Sequence, residues 1–211
     1  MSTKKNYTLL CLGDSYTIGE GVPLHESFPY QLVQMLRKKK YHFHAPEIIA
    51  KTGWTAFELA EQILETTFNE PYHFATLLIG VNNQYRGLQP NDYKKDFEFI
   101  LKKVVDFVGG NAGHVIVLSI PDWGATPFAK ERDILQIEKE INVFNEINKS
   151  IANLYNCKYI DITGESRKAK DDTSLLTNDM LHYAAKEHTV WANEVLEIIV
   201  KLIGNDLPEI L

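Results

Sequence analysis

A chain of 211 residues, of which 45% are hydrophobic and 24% charged, has the size and composition of one globular domain. The net charge of −6 lacks the basic footprint of nucleic-acid-binding proteins, and two cysteines are too few for a disulfide scaffold or a cysteine-rich zinc module. We therefore expect a single domain over residues 1–211 that folds without a disulfide or a structural metal.

The sequence contains no candidate membrane anchor. No segment approaches the roughly 20 apolar residues that a membrane-spanning helix needs. Lys4 and Lys5 give the first residues the charge of a secretory leader, but the apolar run over 9–12 is too short for one. This pattern predicts a cytoplasmic protein without a membrane partner, unless a leader has been removed ahead of residue 1.

The first half of the chain alternates candidate strands with candidate helices. Gly13 closes a short apolar run that is typical of a buried strand, and Pro46 makes the second strand less regular. The second helix is expected to bury an apolar side that includes Phe57 and Leu64. In chain order, the predicted elements are a strand over 8–12, a helix over 27–40, a strand over 43–50 and a helix over 55–68.

The second half continues the same alternation. Asn91 is expected to cap the first helix of this half, and the polar segment 163–178 is interpreted as a loop within the fold. Strands that alternate with helices predict a parallel sheet with helices on both faces. In chain order, the predicted elements are a strand over 74–79, a helix over 91–108, a strand over 114–120, a helix over 130–155, a strand over 159–162 and a helix over 184–203.

Polar residues follow the predicted strands at the edge where open parallel sheets bind ligands. Ser15, Gly53 and Asn82 come after the first three strands, and Asp179 and His182 come after the fifth. Acyl transfer needs a nucleophile, a base, a carboxylate that orients the base, and donors for an oxyanion. We predict that Ser15, His182 and Asp179 fill the first three roles. The backbone N–H groups of Ser15 and Gly53 and the Asn82 amide are the predicted oxyanion donors.

At these positions the chain resembles the SGNH/GDSL hydrolases, a family of serine esterases, lipases, thioesterases and other acyl hydrolases. The resemblance covers nearly the whole domain and implies a three-layer α/β/α, flavodoxin-like fold with a five-stranded parallel sheet. It also implies a shallow, open site that works without a metal. The matching blocks are Gly13-Asp14-Ser15, the lone Gly53, Gly80-Val81-Asn82 and Asp179-x-x-His182.

Two positions depart from the family pattern. Asn83 stands where the third block usually has aspartate, and Tyr183 stands where the last block often has proline. Because Asn82 is retained, we expect the change at Asn83 to alter hydrogen bonding in the loop and to leave activity in place. Asp14 is expected to orient the nucleophile loop by accepting backbone N–H bonds.

The predicted substrates are small or medium acyl esters, or acetyl groups on a carbohydrate, because the resemblance implies an open site. Arg86 has two interpretations: it binds an anionic leaving group, or it is exposed to solvent. Phe128 is also expected at the rim of the predicted site. Four aromatic residues are candidate substrate contacts, although each also suits a cap over the core: Trp54, Tyr85, Trp123 and Tyr183.

Other functions stand as alternatives. An acyltransferase would use the same catalytic residues with a sugar or alcohol acceptor, and a non-catalytic binding module on the same fold is more distant because all five site residues are intact. The glycines after the first strand match neither the dinucleotide nor the phosphate-loop motif. His42 and His44 share a face but have no third ligand placed near them, so we expect no cofactor and no metal.

Overall fold

A central β-sheet organises the molecule, which a computed structural model describes over residues 5–206. Residues 1–4 and 207–211 of the predicted domain, including part of the charged N-terminal segment, lie outside the described residues. The strands are β1 (Asn6–Tyr7), β2 (Leu9–Gly13), β3 (His42–Phe43), β4 (Glu47–Ala50), β5 (Phe74–Leu78), β6 (Val115–Leu118) and β7 (Lys158–Ile160).

Five of these strands form one parallel sheet in the order β4-β2-β5-β6-β7, and β1 pairs with β3 separately. The order is the flavodoxin-like one, in which the first strand of the sheet lies between the second and the third. Every residue of β2, β5 and β6 is buried, as expected for central strands covered on both faces. The predicted α/β fold with a five-stranded parallel sheet is confirmed.

Helices cover both faces of the sheet. They are α1 (Ser15–Ile18), α2 (Phe28–Lys38), α3 (Ala56–Glu65), α4 (Val81–Tyr85), α5 (Pro90–Phe107), α6 (Ile134–Leu154), α7 (Thr163–Ser166) and α8 (Ala185–Asp206). Because connections between parallel strands are right-handed and the chain reverses its direction across the sheet after β4, α2 lies on one face and α3, α5 and α6 lie on the other. The last helix, α8, packs against α2, where Gln31 Nε2 donates to the Ala185 carbonyl at 2.9 Å.

The prediction of one continuous second strand is wrong. Residues 43–50 were expected to form one strand, but the structure has β3 and β4 on either side of Pro46. Proline has no N–H to donate to a ladder, so the chain leaves the small sheet and enters the large one at this point. The consequence for the site is that β4 alone delivers the following loop to the edge of the large sheet.

The predicted apolar face of α3 is also wrong in part. The side chains of Phe57 and Leu64 are 54% and 67% exposed. Leu59 and Ile63, which belong to the same predicted face, are buried as expected, together with two alanines at spacings of three and four residues. Small residues let α3 approach its neighbours closely, whereas the prediction gave weight only to the large side chains.

The bounds of other helices differ from the prediction. Asn91 is not the cap of α5, because that helix begins at Pro90 with Gln89 at the N-cap position. Proline suits the first turn because the N–H that it lacks has no intrahelical partner there. Helix α6 begins at Ile134, later than predicted, where the Asp133 side chain caps its first turn. The short helices α4 and α7 lie in segments that were predicted as loops.

The helices can be compared with the dimensions of a bilayer. Within residues 5–206, none of them is both long enough and apolar enough to cross it.

Candidate active site

The loop after β2 presents Ser15 at the carboxyl edge of the sheet. A Cβ atom at Gly13 would lie 2.1 Å from Thr17 Oγ1 and 2.2 Å from the Leu78 carbonyl oxygen, so only glycine fits there. Asp14 then caps α1, because its Oδ1 accepts the Tyr16 N–H at 3.1 Å. Ser15 is the first residue of this short helix, and its own N–H has no intrahelical acceptor.

Asp179 shapes the turn that carries His182. Its Oδ1 accepts the backbone N–H groups of Leu181 and His182, both at 2.9 Å, and the Thr177 hydroxyl at 2.8 Å. Met180, at the tip of the turn, has a φ of 57°. The Asp-x-x-His spacing therefore forms a compact turn in which one carboxylate oxygen is committed to the backbone and the other is left for the histidine ring.

Ser15, His182 and Asp179 form a continuous hydrogen-bonded line. His182 Nε2 lies 2.9 Å from Ser15 Oγ, and His182 Nδ1 lies 2.6 Å from Asp179 Oδ2. The first contact joins residues 167 positions apart in the chain. A carboxylate on Nδ1 leaves Nε2 as the acceptor, so the ring is oriented to receive the serine proton.

Electrostatics keep the Asp179 carboxyl ionised. Partial burial raises the pKa of this group, but hydrogen bonds from His182, Leu181 and Thr177 lower it by more. The net result is an Asp179 pKa well below its usual range. An ionised carboxylate at this position stabilises the imidazolium that forms when His182 takes up a proton.

The three predicted oxyanion donors belong to residues of one cavity. Ser15, Gly53 and Asn82 all line it. Gly53 has a φ of 84°, a conformation that L side chains rarely adopt, in the loop after β4. Asn82 uses one of its two amide hydrogens to reach the Trp54 carbonyl at 3.0 Å, so the other hydrogen is available to a ligand.

Arg86 stabilises the loop that contains Gly53. Its Nη2 donates to the Gly53 carbonyl at 2.5 Å, and its Nη1 contacts Glu58 Oε1 at 3.4 Å. Glu58 also completes the capping box of α3 with Thr55. Both terminal nitrogens of the guanidinium therefore have protein partners, and the side chain joins the loop that contains Gly53 to the start of α3.

Asn83, where the sequence departs from the family pattern, is a buried structural residue. Its Oδ1 accepts the Ala56 N–H at 2.8 Å. Ala56 is the first residue of α3, so this bond satisfies one of the N–H groups that a helix start leaves without an acceptor. The amide at position 83 thus ties α4 to α3 and leaves the neighbouring Asn82 directed at the cavity.

The cavity beside Ser15 has a volume of about 170 Å³. Of the predicted substrate contacts, Tyr85 and Trp123 line it, and so does Phe128 from the predicted rim. A larger surface groove of about 740 Å³, between α5 and α6, contains none of the predicted site residues. The smaller cavity, and not the groove, contains the Ser15–His182 pair.

Two predicted substrate contacts do not line the cavity. Tyr183 is a correction: its side chain is fully buried, its hydroxyl donates to the Ser166 carbonyl at 3.2 Å, and its ring packs against Trp191. Trp54 packs its side chain against the core and gives the site only its carbonyl oxygen. Neighbouring residues of the extended segment before α8 point in different directions, so His182 reaches Ser15 while Tyr183 enters the core.

Sequence reasoning missed four residues that line the cavity and one that supports it: Tyr16, Thr52, Val81 and Leu181, and Gln84 behind them. Leu181 contributes an apolar wall from within the Asp-x-x-His block. Gln84 lies behind the cavity and accepts the Trp123 indole N–H at 2.6 Å. Leu181 could have been found from its position between Asp179 and His182, the two residues that match the family block. No local sequence pattern identifies Gln84.

Asp14 is expected to make stability depend on pH. Burial raises the pKa of its carboxyl to about 7, although the hydrogen bond from the Tyr16 N–H opposes the shift. The folded-state pKa therefore exceeds the unfolded value of 3.8, and the neutral form favours folding. The contribution of Asp14 to the free energy of unfolding is full below pH 3.8 and is lost as pH rises through about 7.

Asp14→Asn removes this titration and keeps an acceptor for the Tyr16 N–H. The free energy of unfolding of this variant, minus that of the wild type, should increase from pH 5 to about pH 7 and level off above it. Urea unfolding at unit pH intervals measures the difference. A difference that stays constant over this range would show that Asp14 does not titrate there.

Comparisons with known proteins identify the family and the fold. A model of the GDSL-like lipase/acylhydrolase family matches residues 11–190. The acetylxylan esterase Axe2 from Geobacillus stearothermophilus is similar with a TM-score of 0.73 and 16% identity, over 92% of this chain and 94% of that chain. A lipolytic G-D-S-L family protein from Veillonella parvula has a TM-score of 0.71 and 18% identity, over 92% and 99%.

A third solved structure has the same fold. The psychrotrophic esterase EstA from Pseudoalteromonas sp. has a TM-score of 0.70 and 15% identity, over 93% of this chain and 98% of that chain. A comparison with curated protein sequences finds no match. At these identities the solved structures show a shared fold, whereas the family model matches most of the chain by its sequence.

Proposed function

The chain belongs to the GDSL-like lipase/acylhydrolase family of ester-hydrolysing enzymes, and we propose that it cleaves esters of short acyl groups through an acyl-enzyme on Ser15. The observation that carries this proposal is the line from Ser15 Oγ through the His182 ring to Asp179, with contacts of 2.9 and 2.6 Å. It supplies a nucleophile, a base and a carboxylate that orients the base.

In the proposed first step, Ser15 Oγ attacks the ester carbonyl carbon as His182 Nε2 takes the hydroxyl proton. The developing oxyanion accepts hydrogen bonds from the N–H groups of Ser15 and Gly53 and from the Asn82 amide. His182 then gives its proton to the alcohol oxygen as the carbon–oxygen bond of the ester breaks. Asp179 stabilises the imidazolium throughout this step.

In the second step, water replaces the alcohol. His182 takes a proton from the water as its oxygen attacks the acyl carbonyl, and the same donors receive the oxyanion again. The bond to Ser15 Oγ breaks, and His182 returns its proton to that oxygen. The products are a carboxylic acid and the regenerated serine.

The size of the cavity supports a short acyl group. Its volume of about 170 Å³ is close to the roughly 150 Å³ of a cavity that binds benzene, and well below that of a pocket for a drug-sized ligand. Val81, Trp123 and Leu181 give it apolar walls. We therefore expect acyl chains of about two to four carbons to fit beside Ser15.

Two measurements on the same protein test this function. The first is hydrolysis of p-nitrophenyl esters from acetyl to octanoyl, with the highest kcat/KM expected for the short chains. The second is labelling with a serine-directed fluorophosphonate, which should add one label per chain, on the peptide that contains Ser15, as activity disappears. A label on another residue, or activity that survives full labelling, would contradict the proposal.

An acetylated carbohydrate is the second candidate substrate. Tyr85 and Phe128 line the cavity with side chains that are 46% and 45% exposed, and exposed aromatic faces are suited to stacking on a sugar ring. The structurally similar Axe2 is an acetylxylan esterase. Acetate release from acetylated xylo-oligosaccharides, compared with p-nitrophenyl acetate, tests this candidate, and product analysis with an added alcohol distinguishes hydrolysis from acyl transfer.

Asn82→Ala tests the oxyanion assignment. Loss of one donor is expected to lower kcat for p-nitrophenyl acetate by about 10²–10³-fold and to change KM little, because the interaction strengthens only in the transition state. Since Asn82 also holds the Trp54 carbonyl, thermal unfolding must show that the variant folds. A folded variant with kcat within threefold of the wild type would remove Asn82 from the oxyanion site.

A further inference from the structure

Trp123 forms the inner wall of the cavity beside Ser15. Its side chain is buried, yet it contributes to the cavity surface. Its ring packs edge-on against Tyr85, with centroids 5.1 Å apart, and against Phe128 at 6.1 Å. Tyr85 and Phe128 are half-exposed, so these two rings surround the mouth while Trp123 limits the depth of the cavity.

A chain of hydrogen bonds, which runs from the buried Gln84 to the half-buried Glu140, fixes the orientation of this indole. The Trp123 N–H donates to Gln84 Oε1 at 2.6 Å, and Gln84 Nε2 donates to Glu140 Oε2 at 2.8 Å. The other oxygen of Glu140 accepts Gln136 Nε2 at 2.6 Å. Gln84 belongs to α4 and Glu140 to α6, so two helices that pack against each other hold a ring of the cavity.

The donors and acceptors of this chain have a fixed direction. An indole can only donate and a carboxylate can only accept, so the Gln84 amide has one orientation that satisfies both. Because Gln84 is buried, its amide would have no hydrogen bond to protein or to water if it lost one of these partners, which costs free energy. These constraints hold the Trp123 ring in one rotamer, as a rigid stop and not as an adaptable apolar surface.

We propose that Trp123, held by Gln84 and Glu140, sets the maximum length of the acyl group, with Gln84 as the positioning residue. This inference rests on the proposed function of the Ser15 site. In the wild type, an acyl chain that exceeds this length clashes with the fixed indole of Trp123. An indole released from Gln84 populates further rotamers, and longer acyl chains select those that give them room.

Gln84→Met is the primary test, because methionine has a similar length and cannot hydrogen-bond to the indole or the carboxylate. The readout is the ratio of kcat/KM for p-nitrophenyl acetate to that for the hexanoate. We expect the variant to lower this ratio about tenfold, the effect of one methylene in a tight pocket, and to keep acetate turnover within about threefold of the wild type. Gln34→Met, an exposed substitution on α2, is the matched control and should leave the ratio unchanged.

A swap variant separates hydrogen bonding from packing. Gln84→Glu combined with Glu140→Gln reverses the second bond: the carboxylate at position 84 accepts from both the Trp123 indole and the new amide at position 140. We expect the swap to restore the wild-type ratio. A folded swap variant with the relaxed ratio of Gln84→Met would show that Gln84 acts only by packing and would overturn the proposal.

Trp123→Phe completes the test without relying on the swap. Phenylalanine has no N–H for Gln84, so adding Gln84→Met to this variant should bring no further change in the ratio. If the two substitutions change the ratio additively, the proposal is overturned. It is also overturned if Gln84→Met lowers kcat/KM equally for all esters. Absence of Ser15-dependent turnover in the wild type would instead refute the proposed function, and a wild type that accepts hexanoate as readily as acetate would refute only the acyl stop.

Discussion

Ser15→Ala is expected to lower kcat for p-nitrophenyl acetate by about 10⁴-fold or more, since the variant has no nucleophile and keeps only the oxyanion donors and the cavity. Ser15 Oγ is buried and contacts His182 Nε2 at 2.9 Å, so alanine removes this one contact without adding volume. The change in the free energy of unfolding should therefore stay within about 1–2 kcal/mol. Steady-state kinetics and urea unfolding on the same preparation measure both quantities.

The control is Ser150→Ala, which removes an exposed hydroxyl from α6. It should match the wild type in both kcat and stability. Equal rates in the wild type and in Ser15→Ala would mean that the observed hydrolysis does not pass through Ser15, and the acyl-enzyme mechanism would then be rejected.

Asp179→Asn is expected to lower kcat by roughly 10⁴-fold while the turn around it stays folded. Oδ1 of Asp179 accepts the N–H groups of Leu181 and His182, and the asparagine carbonyl must take over these bonds. Its NH2 group then faces His182 Nδ1 and donates to it. This selects the tautomer with the proton on Nε2, which cannot accept the proton of Ser15.

The matched control is Asp172→Asn, because Asp172 also accepts a backbone N–H, from Ser174 at 3.0 Å, but contacts no histidine. It should leave kcat unchanged. Steady-state kinetics of both variants, together with thermal unfolding, provide the measurement. A folded Asp179→Asn enzyme with kcat within tenfold of the wild type would show that His182 needs no carboxylate.

The fold and the candidate site residues could be predicted from the sequence because both leave local marks in it. Apolar runs closed by glycine or proline indicated the strands, and Ser15, Asn82 and His182 lie in blocks directly after such strands or directly before a helix. The contact between Ser15 and His182 could only be expected, because 167 positions separate them and no local pattern encodes a distance.

Other features could not be predicted because their causes are tertiary. Whether Tyr183 meets the substrate or the core depends on where Trp191 lies beside it. Phe57 and Leu64 share the helical period of a core face, but their exposure depends on how α3 is rotated about its axis. Gln84 finds its carboxylate partner 56 positions away, on another helix.

The wide separation of nucleophile and base along the chain has a consequence for biosynthesis. Ser15 emerges from the ribosome long before His182, and the turn with the histidine precedes α8, which packs against α2. The packing of α8 on α2 joins distant parts of the chain, and contacts of this kind slow folding. A chain synthesised only as far as α7 holds Ser15 without His182, so the proposed cleavage requires the last part of the sequence.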